Sequence, residues 1–238
     1  MLASILMLYS CKSKTSEPAV TSDNAAATET ATPKGRYAIK SGIVEYKTEI
    51  IGMPAKQTLI FDDYGQKELT DVEMGMMGTK VRTVTITKDG FIYTLDPENK
   101  TGTRISGKSP NIDFENLSEG MVKDMNLKKE GTEDFLGKTC EKMSIDYTKM
   151  KMKGSFLVYK GVALRVDTDM GSMKMKLVAE KFVENPELPA DRFDVPKDIK
   201  IVDNKYLDGL IGIIAFFSCF EISSRFEPEI VSKMSRTN

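Results

Sequence analysis

Apolar and polar residues alternate with a period of two along most of the chain between Tyr37 and Ala179, the spacing that puts successive side chains on opposite faces of a β-strand. The alternation is clearest from Gly131 to Ala179. Met143, Ile145 and Tyr147 share one face of a first segment; Phe156 and Val158 alternate with Leu157 and Tyr159 in a second; Met173, Met175, Leu177 and Ala179 alternate with Lys174 and Lys176 in a third. With Gly154, Gly161 and Gly171 between them, these segments predict an antiparallel meander. Upstream, Val44, Tyr46 and Ile50 alternate with charged residues, Leu59 and Phe61 share a face, and so do Val72, Met74 and Met76. The run VRTVTITKDGFIYTL carries Asp89-Gly90, a strong hairpin signal between two β-rich stretches. Five strands are expected between Tyr37 and Ile105.

The period changes once. Phe114, Leu117, Met121 and Met125 fall at spacings of three, four and four, which predicts a helix over 111–127 with Asn111 or Asp113 as its N-cap. After the meander, Pro186, Pro189 and Pro196 allow only an edge strand and an extended finish. The expected fold is mainly β (α+β): a curved antiparallel sheet whose apolar face is covered by that helix.

Composition sets the boundaries of the folded part. From Lys12 to about Gly35 the chain is Ser, Thr, Ala, Glu and Pro, with too little to bury to offset the entropy of ordering. Four parts are expected: an apolar leader over 1–11, a disordered tether over 12–36, a domain over 37–203, and an apolar run with a polar tail over 204–238. That apolar run, YLDGLIGIIAFFSCF, is short of the roughly twenty residues that span a bilayer.

Charge and chemistry exclude more than they propose. Thirty-four basic residues against thirty-five acidic ones leave no global field to steer the chain to nucleic acid. The sequence has no His, which removes the usual general base and the commonest metal ligand. Cys11, Cys140 and Cys219 are too few and scattered for a disulfide framework or a four-ligand zinc site. Cys140 alternates out of phase with Met143 and Ile145 and has no His to activate it. No cofactor is expected, and no enzymatic activity.

The first ten residues, MLASILMLYS, are apolar and end in a small residue directly before Cys11, after which the chain turns polar. Leu8 to Cys11 resemble a bacterial lipobox, which implies lipid attachment at Cys11 and a tether holding the domain off a membrane. With that signal come a strand opening on Phe135 to Cys140, a Tyr159-Lys160-Gly161 hairpin followed by Val162 to Arg165, and the close NPELPADRFDVPKDIKI. Together they resemble the LolA/LolB-like half-barrel lipoproteins, over about residues 37–202. The resemblance implies an incomplete barrel with an apolar concave face under a helical lid, anchored in the outer membrane, able to accommodate an acyl chain or other apolar ligand.

On that reading the ligand would be lined by Phe91, Tyr93, Phe114, Leu117, Met121, Met143, Ile145, Met173, Met175 and Leu177. Two alternatives stay open: an interaction lipoprotein with a packed core and a protein partner, and Cu(I) binding through the pairs Met74/Met76, Met150/Met152 and Met173/Met175. An apolar cleft of at least ~300 Å³ under the helix would favour the ligand over the packed core.

Overall fold

A computed structural model describes residues 35–50, 52–76, 79–109, 111–171 and 173–203. Cys11, most of the expected tether and the apolar run beyond Asn204 lie outside the described residues. The strands are β1 Gly42–Ile50, β2 Met53–Asp62, β3 Lys67–Met76, β4 Thr79–Lys88, β5 Phe91–Asp96, β6 Thr101–Ser106, β7 Lys128–Phe135, β8 Lys138–Tyr147, β9 Met152–Tyr159, β10 Val162–Asp169, β11 Lys174–Glu184 and β12 Lys200–Asp203. Among the described residues a single short α-helix, α1 Glu119–Asp124, precedes β7.

These twelve strands hydrogen-bond into one sheet, ordered β12, β6, β5, β4, β3, β2, β1, β11, β10, β9, β8, β7. Two meanders are therefore joined through the β1–β11 ladder, in which Val44 opposes Phe182 and Ile50 opposes Met175. Every ladder is antiparallel except β12 with β6. Three two-residue hairpins use the same device: Asp89-Gly90, Leu136-Gly137 and Lys160-Gly161 each have positive φ at both positions, the requirement of a turn that matches strand twist. The edge strand β7, KKEGTEDF, is almost wholly exposed and carries a bulge between Lys129 and Gly131, features that discourage edge-to-edge association.

The sheet curls, because residues far apart along it meet. Five strand spacings separate β4 from β10, roughly 24 Å on a flat sheet, yet Thr85 and Thr87 of β4 line the same cavity as Ala163 and Val166 of β10. The main apolar cluster fills the concave side with Val44, Tyr46, Leu59, Phe61, Met143, Ile145, Phe156, Val166, Leu177 and Ala179. A second cluster lies on the opposite face of the first meander, where Ile60, Leu69, Val84, Ile86 and Leu95 bury Phe193 against them. Leu188, Val195, Ile199 and Ile201 pack there too, so the Pro-rich close clamps the back of the sheet.

Several expectations change. The first meander holds six strands rather than five, β6 being the addition. The second holds five rather than three segments, and Gly154 lies inside β9 rather than at a turn; a 3-10 turn at Thr148–Met150 makes that reversal. Met173 precedes β11. The helix shrinks from 111–127 to α1, capped by Ser118, whose side-chain oxygen accepts the Met121 backbone N–H. At Asp113 the carboxylate accepts the backbone N–H of Asn116 and the Asn116 amide at 3.1 Å, and that amide also donates to the Gly35 carbonyl at 3.0 Å, a turn that is not continued as helix. The covering element over the concave face is thus an irregular strap formed by residues 107–109 and 111–118, not a helix. Arg36, placed in the tether by composition, is buried in the domain.

Candidate functional site

Under the strap lies a cavity of about 110 Å³. One wall is apolar, formed by Leu59, Val72, Ile112, Phe114, Phe156, Ala163, Val166, Met175 and Leu177; the other is polar, formed by Gln57, Glu68, Thr70, Thr85, Thr87, Ser109 and Asn111 with Tyr37 and Tyr46. The polar wall arises from the strand period. Val72 and Met74 face the cavity side of β3, and the same parity leads back through Thr70 to Glu68; across the ladder Thr70 opposes Thr85 and Glu68 opposes Thr87.

Glu68 is 2% exposed and Arg36 is 9% exposed. The Arg36 Nη1 atom lies 3.1 Å from Glu68 Oε1 and donates to Ser109 Oγ at 2.8 Å, while Nη2 donates to the Ser109 carbonyl at 2.8 Å. The Ser109 hydroxyl donates to Glu68 Oε2, and the Asn111 amide donates to the same oxygen at 3.3 Å. The hydrogen bonds to Glu68 all converge on Oε2; Glu68 Oε1 faces Arg36 in the ion pair but accepts no hydrogen bond. Burial alone would lower the Arg36 guanidinium, but the Glu68 charge and Tyr37 outweigh it and hold it above its ordinary value. Burial, with the Glu68 charge, pushes the Tyr37 and Tyr46 hydroxyls upward. The Tyr46 hydroxyl donates to the Ala163 carbonyl at 2.9 Å, tying β1 to β10 across the concavity.

Three threonine hydroxyls on this side, those of Thr48, Thr85 and Thr168, are buried and have no hydrogen-bond partner. Buried hydroxyls are normally paired. Thr85 is on the cavity wall itself.

Of the ten residues expected to line a ligand, Phe114, Met175 and Leu177 are on the wall of this cavity. Met143 and Ile145 are packed inside the main cluster. Phe91 and Tyr93 face the other way: Tyr93 opposes Ile86 and packs on the back cluster, and Phe91 holds the Arg104 guanidinium 4.9 Å from its ring centre. The cavity parity in β5 belongs to Ile92, which opposes Thr87. Met121 is 47% exposed, and Leu117 and Met173 are half-buried away from the cavity. Arg36, Glu68, Ser109, Asn111 and the threonines are absent from the sequence-based set. A charged residue sitting on the apolar parity of β3 is the signal available for Glu68.

Of the Met pairs, Met74 and Met152 are buried in apolar clusters and Met175 packs between two of them, so those three act as core. Cys140 is buried with its thiol 3.6 Å from the Lys138 carbonyl; burial and the Asp134 and Glu133 charges push that thiol up, which keeps it protonated and unreactive. Among the described residues no group of three or more His, Cys, Asp or Glu is placed to hold a metal, and no helix is long and apolar enough to cross a membrane.

No family model matches the chain and no curated protein does. Similar solved structures include an uncharacterized conserved protein from Thermus thermophilus, at 13% identity over 70% of this chain and 92% of that one, with a TM-score of 0.49. A chain of the Pseudomonas aeruginosa MucA/MucB complex is similar at 9% identity and a TM-score of 0.44, over 68% of this chain; the match spans 58% of the other's length. The Mycobacterium tuberculosis lipoprotein LppX is similar at 10% identity and a TM-score of 0.38, over 63% of this chain and 90% of that one. These values are too low to carry a function across.

Proposed function

We propose that this chain is a lipid-anchored envelope protein of the half-barrel kind, not an enzyme, whose concave face holds an amphiphilic ligand. The observation that carries the reading is the two-sided cavity: an apolar wall on β9, β10 and β11 and a polar wall on β3 and β4, with the Thr85 hydroxyl of the polar wall buried and unpartnered. Leaving that hydroxyl unpaired costs ~1–3 kcal/mol, and of the three unpartnered threonine hydroxyls Thr85 is the one on the cavity wall, where a ligand could pair it. The lipobox-like Leu8 to Cys11 and the polar stretch after it support lipid attachment at Cys11, and the resemblance to half-barrel lipoproteins supports the outer membrane as its place. The absence of His throughout the chain supports a binding role over catalysis.

The packed-core interaction lipoprotein is the second reading, and the cavity volume favours it: about 110 Å³ is below the ~300 Å³ at which small-molecule sites begin. Native mass spectrometry of the full chain, purified from bacterial membranes in mild detergent, separates the two. The ligand reading expects an adduct of several hundred daltons that a chloroform–methanol wash removes; a bare polypeptide mass beyond the anchor leaves the packed-core reading standing.

A further inference from the structure

A second space adjoins the first. A cleft of about 590 Å³ opens where the strap meets the β4–β5 hairpin, and it shares Thr87 and Ser109 with the inner cavity. Alone it falls within the ~300–1,000 Å³ of small-molecule sites. The Arg36–Glu68 pair stands between the two spaces, since Glu68 faces the inner cavity and Arg36 faces the outer cleft.

The outer cleft differs chemically from the inner one. Its charged lining is balanced: Arg36, Lys67 and Lys108 against Asp63, Asp89 and Asp113. Arg36 is spent on Glu68 and Ser109, but Lys108, Asp63 and Asp89 form no ion pair among the described residues. Charges of both signs lining one cleft, with Lys108, Asp63 and Asp89 outside any ion pair among the described residues, suit a ligand group that carries both signs itself. An anionic head would meet three carboxylates and a cationic one three bases. No aromatic ring lines the cleft to stack a sugar or a base.

We infer that the chain binds a zwitterionic single-chain amphiphile, its head in the outer cleft between Lys108 and Asp89 and its chain directed past Ser109 toward the inner apolar wall. The inference rests on the ligand reading above and adds the headgroup class. Ser109 belongs to the strap rather than to a strand, so this side of the divider is not held by a ladder.

The test titrates the full chain at low salt with decylphosphocholine, decanol, decanoate and chain-free phosphocholine, all below micelle-forming concentrations, reading the dissociation constants by calorimetry. Two variants accompany it: Lys108→Gln, and Asp89→Asn, which removes a charge while keeping a residue suited to the positive φ of that turn. Decylphosphocholine is expected to bind at least about tenfold more tightly than the other three. Each variant weakens it about fivefold, the size of one exposed ion pair, and leaves decanol unchanged. Equal binding of the three chains, or a preference that neither variant moves, overturns the headgroup assignment while leaving the ligand reading intact. Phosphocholine binding as tightly as its decyl form overturns the two-space arrangement. Binding by no probe at all overturns this inference together with the reading beneath it.

Discussion

Arg36 and Glu68, thirty-two positions apart in sequence, form an ion pair at 3.1 Å inside the domain, and both hydrogen-bond Ser109 of the strap. The pair fastens three pieces at one point: the entry to the domain, strand β3 and the cover over the cavity. Breaking it from one side leaves a buried charge, whereas removing both charges does not. Arg36→Met should cost about 3–5 kcal/mol in urea unfolding, and Arg36→Met with Glu68→Met should recover most of that loss. A double variant no more stable than the single one would show that the pair does not act as a unit.

Thr85 offers a test in which stability and binding move in opposite directions. Its hydroxyl is buried without a partner, so Thr85→Val should raise the stability of the ligand-free protein by about 1 kcal/mol. If a ligand supplies the missing hydrogen bond, the same change weakens binding. Thermal unfolding with and without a bound amphiphile reads both effects.

Phe193 anchors the Pro-rich close on the back of the sheet, 5% exposed among Ile60, Leu69, Val84, Ile86 and Leu95. Phe193→Ala should destabilise by about 3–5 kcal/mol. Because this cluster lies on the face away from the cavity, the variant should bind the amphiphile with unchanged affinity at temperatures where it remains folded.

Glu184 sets an acid-side dependence. Burial acts to raise its carboxyl, but hydrogen bonding and charge from Lys138, joined by Lys160, outweigh it and hold the group below its ordinary value. A carboxyl depressed in the folded state contributes stability that is present above its unfolded value, near pH 4.3, and is lost as the pH falls through its folded value. Both partners are partly exposed, so the contribution is under about 1 kcal/mol. Between pH 5 and pH 3 the parent should lose stability more steeply than Glu184→Gln; identical slopes would remove Glu184 from the account.

Much of the sheet is legible in the sequence because strands such as β1 keep one face wet. The alternation of Val44 and Tyr46 with Glu45 and Lys47, and the Asp89-Gly90 and Lys160-Gly161 turns, mark strands and hairpins directly. The choice of face is not legible in β5. There both faces are covered, Ile92 on the cavity side and Tyr93 on the back cluster, so size and hydrophobicity carry no sign, and the aromatic pair Phe91 and Tyr93 points to the wrong face. The helix fails for a different reason. The spacing of Phe114, Leu117, Met121 and Met125 fits a helical stripe, but only Glu119–Asp124 is helical and its Met121 is exposed, so the stripe does not form one buried face. The polar wall depends on pairings such as Arg36 with Glu68 that only the folded chain brings together.

Met175 is where the central claim is most exposed to test. It lines the cavity, opposes Ile50 and Thr168 in the ladders and is only partly buried. A Trp at this position would fill the space against Phe156 and Val166. The decisive measurement is the affinity of a fluorescent single-chain amphiphile for the parent and for Met175→Trp, taken with the urea stability of both. If the concave face holds a ligand, the parent binds, the variant loses at least about tenfold in affinity, and stability changes by less than about 1 kcal/mol. No binding by the parent, together with the ~1–3 kcal/mol loss that overpacking a filled core produces, would contradict the claim and leave a packed interaction protein in its place.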